Sequence, residues 1–152
     1  MTRNKNDWIG RDGEDSIAKF LTENGAHIQT RSSHNGHPDL FFEHMGEVFA
    51  AECKTVRATY SGKEGERGGQ LKISREEFES METLEGFTKC LLVEIRPRGG
   101  GKENSYHFVP WNHVRDRFLA THPQLLSLSI WWVLSHGVNV AWWLDLRGYR
   151  MV

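Results

Sequence analysis

The stretch Pro38-Asp39-Leu40-Phe41-Phe42-Glu43-His44-Met45-Gly46-Glu47-Val48-Phe49-Ala50-Ala51-Glu52-Cys53-Lys54 decides how this chain reads. Apolar runs flank His44-Met45-Gly46-Glu47, a tight-turn sequence, so the segment predicts a hairpin with arms Asp39–Glu43 and Val48–Val56. With Met45 and Gly46 as a two-residue loop, His44 faces Glu47, and the register carries outward to Leu40 against Ala51 and Asp39 against Glu52. Facing residues hold their Cβ atoms ~4.5–5.5 Å apart. Two carboxylates that close repel each other and require a cation between them, and a hard divalent ion such as Mg²⁺ takes oxygen ligands of this kind. Alternation along the strand puts Lys54 on the face of Glu52 and turns Ala51 and Cys53 toward the core. A metal that activates water, beside a lysine amine, suits phosphodiester hydrolysis. Lys54 would either stabilise the pentavalent transition state or orient the attacking water, and the sequence leaves both roles open.

Upstream, Ile17, Phe20 and Leu21 give a helical apolar face over Asp12 to Asn24, with Gly25 as a stop. Glu14 precedes Ile17 by three residues and Leu21 by seven, so it follows the edge of that face. A carboxylate there is either a direct or water-mediated metal ligand or a helix N-terminal acid favoured by the dipole. Ala26 to Arg31 reads as a strand, followed by a polar loop, Ser32 to His37. Downstream, a loop with four glycines spans Arg57 to Gly69. Ser74 and Glu77 make a capping box for a helix with apolar Phe78, Met81 and Leu84, ending at Gly86. Thr88 to Arg96 is a nearly continuous apolar strand, to be buried on both faces; Ser105 to Val109 is another strand, and Trp111 to His122 a helix. The tail beyond, with Trp131, Trp132, Trp142 and Trp143, is expected to form a hairpin or strand pair. The whole predicts one α/β domain over residues 1–152, with a core of about 8–109 and a Trp-rich C-terminal extension over 110–152: a central mixed sheet flanked by helices.

Composition fits a folded domain of this size: 38% hydrophobic and 26% charged residues in 152. Cys53 and Cys90 are too few for a disulfide framework and lie in apolar surroundings, which predicts buried free thiols in a reducing compartment. Met1 to Asp7 is polar with no apolar run after it, so no signal peptide and a cytoplasmic location are expected. The net charge of −1 argues against a nucleic-acid partner taken as a bulk property. Its distribution does not, because Lys54, Arg57, Lys63, Arg67, Lys72 and Arg75 fall in one segment. Lys63, Arg67, Arg96, Arg98 and Lys102 on or beside the glycine-rich loops are either phosphate contacts or solvated loop charge.

Pro38-Asp39, a spacer of twelve, then Glu52-Cys53-Lys54 is the PD-(D/E)XK signature, here on a predicted hairpin between two helices. The layout resembles the archaeal Holliday-junction resolvases of that nuclease superfamily over roughly Gly10 to Val109. The matching pieces are Gly10-Arg11-Asp12-Gly13-Glu14, Arg31-Ser32, Pro38-Asp39, Glu52-Cys53-Lys54 and Ile73-Ser74-Arg75-Glu76-Glu77. The resemblance implies a restriction-endonuclease-like fold and a homodimer that uses Mg²⁺ or Mn²⁺ to cut four-way DNA junctions in recombination or repair. Glu14, Asp39 and Glu52 would bind the metal, Lys54 would be catalytic, and Arg31 and Ser32 would lie near the DNA backbone. Gln70 follows the lysine as a glutamine does in many superfamily members, and would position water or phosphate or remain an exposed loop residue. The long glycine-rich loop and the residues after Val109 depart from the pattern. The turn region equally resembles the virus-type replication-repair nucleases, so nuclease chemistry is the broader implication.

Other readings compete. His34 and His37, with His44 and Cys53, could supply zinc ligands, although structural zinc sites pair their ligands at short spacings and only one such pair is present. The tryptophans complete the core or form a dimer interface. A DNA-binding module without catalysis would gain nothing from carboxylates facing phosphate. Pro123 to Leu144 carries no charge and matches the ~20 residues of a membrane span, but His136-Gly137-Val138-Asn139 interrupts it, which favours two soluble elements.

Overall fold

The computed structural model of the chain describes residues 5–32, 38–58, 69–97 and 103–150. In chain order its elements are α1 (Lys5–Glu23), β1 (His27–Arg31), β2 (Leu40–His44), β3 (Glu47–Arg57), β4 (Gln70–Ser74), α2 (Arg75–Glu82), β5 (Thr88–Arg96), β6 (Ser105–Pro110), α3 (Trp111–Thr121), β7 (Leu125–Ser129), α4 (Ile130–His136), β8 (Val138–Asn139) and α5 (Val140–Arg150).

The hairpin forms in the expected register, with Leu40 opposite Ala51 and His44 opposite Glu47. Met45 (φ 54°) and Gly46 (φ 83°) both take positive φ. That is the primed two-residue turn whose twist matches the strands, and glycine at its second position bears the left-handed conformation without a Cβ clash. Outward from the hairpin, β1 lies antiparallel to β2. On the other side β5 runs parallel to β3, followed by antiparallel β6 and β8, giving the six-stranded mixed order β1-β2-β3-β5-β6-β8.

Both faces of this sheet are covered. On one, Ile17 and Leu21 of α1 and Val140 and Leu144 of α5 pack with Phe42, Phe49, Cys53, Leu92 and Phe108. On the other, Phe78 and Met81 of α2 and Trp111, Val114 and Phe118 of α3 pack with Leu91, Val93, Ile95 and the β4–β7 ribbon. Burial on both sides explains why β5 reads as an unbroken apolar run. The α/β architecture of a central mixed sheet flanked by helices is as the sequence predicts.

Three departures matter. Helix α1 begins at Lys5 rather than Asp12; Gly10 and Gly13, poor helix formers, interrupt the apolar period between Trp8-Ile9 and Ile17. Strand β4 lies where only a loop and a cap were expected; its buried residues are Leu71 and Ile73, alternating with exposed Gln70 and Lys72. The tail is not a hairpin. Its two strands pair elsewhere, β7 with β4 and β8 with β6, and two helices occupy the tryptophan runs. Ser129 Oγ accepts the Trp132 N–H and Asn139 Oδ1 accepts the Trp142 N–H, so side-chain caps start helices in sequences of high strand propensity. Among the described residues no helix is long and apolar enough to cross a membrane.

The tail is also fastened to the hairpin by Arg147. Its Nε donates to His44 Nδ1 (3.2 Å), its Nη2 to the His44 carbonyl (3.3 Å) and to Glu47 Oε1 (2.9 Å), and its guanidinium lies 5.0 Å from the Phe49 ring centre. His44 is buried, and burial, then the Arg147 charge, holds its pKa below the ordinary value, so it stays neutral as an acceptor for Arg147.

Helices α2 and α3 are joined by a two-pronged pair, Arg115 Nε to Glu82 Oε1 (2.6 Å) and Nη2 to Oε2 (2.8 Å). The hydrogen bonds from Arg115, partly offset by burial, hold the Glu82 carboxyl below its ordinary 4.5. A depressed carboxylate stabilises the fold above its unfolded pKa, and that contribution fades as pH falls through the folded value. Glu82→Gln is therefore expected to cost about 0.5–1 kcal/mol at pH 7, screened because Arg115 is partly exposed, and nearly nothing at about pH 3. Urea denaturation of both proteins at the two pH values measures the difference.

Candidate active site

The β2–β3 ladder ends at Leu40–Ala51, and beyond it the strand edge of β3 is taken up by a side chain. Asp39 Oδ2 accepts the Cys53 N–H at 2.8 Å. The expected pairing of Asp39 with Glu52 lies past the end of this ladder, and the Asp39 carboxylate is bound one residue further on, at Cys53. Ser32 holds Asp39 from the other side: its N–H donates to the Asp39 carbonyl (2.9 Å) and its Oγ to the Pro38 carbonyl.

On its opposite edge β3 pairs with β5, Glu52 with Leu91 and Lys54 with Val93, so this segment lies inside the sheet. Side chains alternate as expected. Cys53 and Thr55 face α1, while Glu52 and Lys54 face α2. Glu52 is fully buried.

Glu14 reaches the site because α1 packs unusually close to β3. A Cβ on Gly13 would stand 1.8 Å from Thr55 Oγ1, so only glycine permits the approach that carries the next residue, Glu14, to the strand. The Cys53 thiol registers the result: burial first, then the charges of Asp39, Glu14 and Glu52, push its pKa well above the ordinary value.

Lys54 Nζ is 2.5 Å from Glu77 Oε2, with side chains 22% and 15% exposed. Glu77 stands in the first turn of α2, where Ser74 and Glu77 form the expected capping box. Its carboxyl also contacts that of Glu52. Glu77 was legible only as a cap; nothing in sequence spacing tells that α2 folds back over the end of β3.

The remaining expected residues are dispersed. Arg31, at the end of the edge strand β1, pairs with Asp15 at 2.7 Å, beside Glu14. Gln70 is exposed at the start of β4, opposite Ser129. Arg96 lies against Glu94 and Asp12, each at 2.7 Å. Lys63, Arg67, Arg98 and Lys102 lie outside the described residues, as do His34 and His37 of the zinc alternative. His44, the third zinc candidate, is occupied by Arg147.

Among the described residues no three or more His, Cys, Asp or Glu side chains are drawn tightly enough to grip an ion as they stand, so the expected three-carboxylate ligand set is not pre-closed. The donor chemistry still fits Mg²⁺, which commonly uses one or two carboxylates and completes its octahedron with water and substrate phosphate. Asp39 and Glu52 are the residues that could supply such a pair.

No family model matches the chain, and no curated protein does. Among solved structures the chain is similar to Archaeoglobus fulgidus Hjc, a Holliday junction resolvase from an archaeal hyperthermophile, with a TM-score of 0.61 and 16% identity over 90% of this chain and 95% of that one. At this identity the likeness is one of fold. Its coverage extends the similarity past Val109: most of the supposed extension falls within the match.

The Gly13 contact gives a stability test. Helix propensity favours alanine over glycine by about 1 kcal/mol, whereas overpacking costs about 1–3 kcal/mol. Gly13→Ala should therefore lower the melting temperature, and adding Thr55→Ala, which removes the nearest obstructing atom, should recover part of the loss in a double-mutant cycle.

Proposed function

We propose that the chain is a divalent-metal-dependent DNA endonuclease of the Holliday-junction resolvase kind, acting in recombination or repair. The observation that carries this reading is Asp39 held on the Cys53 N–H at the end of the β2–β3 ladder, with buried Glu52 and Lys54 on either side of Cys53 along the strand. The fold shared with a resolvase supports it.

In this reading Asp39 and Glu52 hold Mg²⁺, or Mn²⁺ in its place, and Glu14 assists through water. The bound ion would supply Lewis acidity toward a phosphate oxygen and lower the pKa of the attacking water. Asp39 is fixed for the task by the Cys53 N–H and by Ser32, so little reorganisation is needed when phosphate arrives. Lys54, paired with Glu77, presents its other N–H donors to the non-bridging oxygens of the reacting phosphate, where negative charge builds up. Arg31, Ser32, Gln70 and Arg96, with Lys63, Arg67 and Arg98, are the proposed DNA-backbone contacts, Arg31 and Arg96 exchanging their carboxylate partners for phosphate.

The test uses labelled four-way junction, duplex, flap and single-stranded DNA with Mg²⁺, Mn²⁺ or EDTA. Symmetric, metal-dependent nicking of the junction is expected, with Asp39→Ala slower by about a thousandfold or more. Cutting only the other substrates would move the assignment to a virus-type or restriction-type nuclease. Metal-independent binding without any cleavage would leave a DNA-binding module.

Two symmetric cuts need two sites related by a two-fold axis. Trp131 (68% exposed) and Trp142 (55%) flank the edge strand β8 in sequence and support self-association through this end of the sheet. Sedimentation at micromolar concentration should give a dimer, and Trp142→Glu should shift it toward monomer; a strict monomer in the parent protein would remove this part of the proposal.

A further inference from the structure

The Lys54–Glu77 pair has an unusual setting for an ion pair. Both side chains are mostly buried, and a buried pair contributes little net stability because desolvation consumes most of its attraction. A purely structural contact here could be made by apolar residues, as the surrounding Leu71, Ile73, Phe78 and Leu91 show. The acid is instead held in place from three directions. Its own N–H is taken by Ser74 Oγ (3.1 Å), its Oε1 receives the Ser74 N–H (3.1 Å), and its Oε2 receives Lys54. The first turn of a helix also favours an acid. Burial pushes the Glu77 carboxyl up, but the Lys54 charge and hydrogen bond, the Glu52 contact and the Ser74 N–H outweigh it and leave it below the ordinary range.

A lysine stem has four rotatable carbons, so an amine at the edge of a site samples many positions unless something fixes it. We propose that Glu77 is a positioning residue that holds the Lys54 amine beside Glu52, ready for an incoming anionic group. An ammonium has three donors, and one bond to Glu77 leaves two. The Ser74 backbone N–H on Oε1 fixes the Glu77 carboxylate before substrate binds, and misplacing a reacting group by about 1 Å can cost roughly 100-fold in rate. The catalytic half of this inference rests on the nuclease reading above; the positioning half does not.

Two measurements separate the halves. Limited acetylation with acetic anhydride, read by mass spectrometry, reports the accessibility of Lys54 without any substrate. Lys54 should be among the slow lysines in the parent protein and several-fold faster in Glu77→Ala, with exposed Lys19 unchanged as the internal reference. Cleavage kinetics should show kcat down roughly 100-fold in Glu77→Ala with KM within about threefold, and substantial recovery in Glu77→Gln, whose amide oxygen still accepts from Lys54. Ser74→Ala is the control for a structural role. It removes the hydroxyl cap but spares the Glu77 side chain, so it should lower the melting temperature with little effect on kcat. Unchanged Lys54 acetylation in Glu77→Ala, or equal kcat losses in Ser74→Ala and Glu77→Ala, would overturn the positioning role. Should the parent protein cut no DNA while Lys54 acetylation still responds to Glu77→Ala, the nuclease reading fails and the positioning of the amine stands.

Discussion

The hydrogen bond from the Cys53 N–H to Asp39 Oδ2 is the contact on which the rest of the site depends. A strand edge inside a folded domain must have its N–H groups taken up. Beyond Ala51 the β2 backbone no longer does this for β3, and a carboxylate from the approaching chain does so instead. An ordinary continuation of the ladder would satisfy the same N–H with backbone and leave no carboxylate at this point of the strand.

Buried carboxylates recur in this sheet, and the contrast between two of them is instructive. Glu94 on β5 is as fully buried as Glu52. Around Glu94 stand donors: Arg96 Nε at 2.7 Å, Thr55 Oγ1 at 3.3 Å, Asn104 Nδ2 at 3.5 Å, and the Ser16 hydroxyl. This is how a protein accommodates a structural buried charge, by surrounding it with hydrogen bonds and a cation. Glu94 thereby ties α1, β3 and β5 together, while Glu52, equally buried, lies on the other face of the sheet, toward Glu77 of α2.

Some of this was legible in the sequence because it depends on local arithmetic. A two-residue turn fixes the hairpin register, so Leu40 against Ala51 follows from counting. The Ser74–Glu77 capping box is likewise a matter of spacing. The Glu77 carboxyl has a second partner, Lys54, 23 residues away, and that contact exists only because the crossover between parallel strands brings α2 back over β3. The same holds for Arg96. Its place at a loop edge suggested a free cation, but Asp12, 84 residues earlier in the chain, meets it in space. In the tail, tryptophan propensity pointed to strands, while the caps at Ser129 and Asn139, visible in the sequence, decided for helices. The alternation of Gln70-Leu71-Lys72-Ile73 also marks β4 plainly enough; what hid it was its partner, β7, which lies beyond Val109.

The residues after Val109 are therefore part of what holds the site in shape. Strand β7 pairs with β4 along its full length, from Gln70–Ser129 to Ser74–Leu125, and the Gln124 carbonyl accepts the Arg75 N–H. These bonds fix where α2 begins, and with it the Ser74 cap and Glu77. At the other end of the hairpin, Arg147 of α5 grips His44 and Glu47 on either side of the turn. One segment thus restrains the hairpin at its turn, while through β4 and α2 it restrains the acid that meets Lys54. A displaced tail would loosen both restraints together, although no described residue of it contributes to the carboxylate cluster. The tail thus works on the site through register and helix placement, not through chemistry of its own.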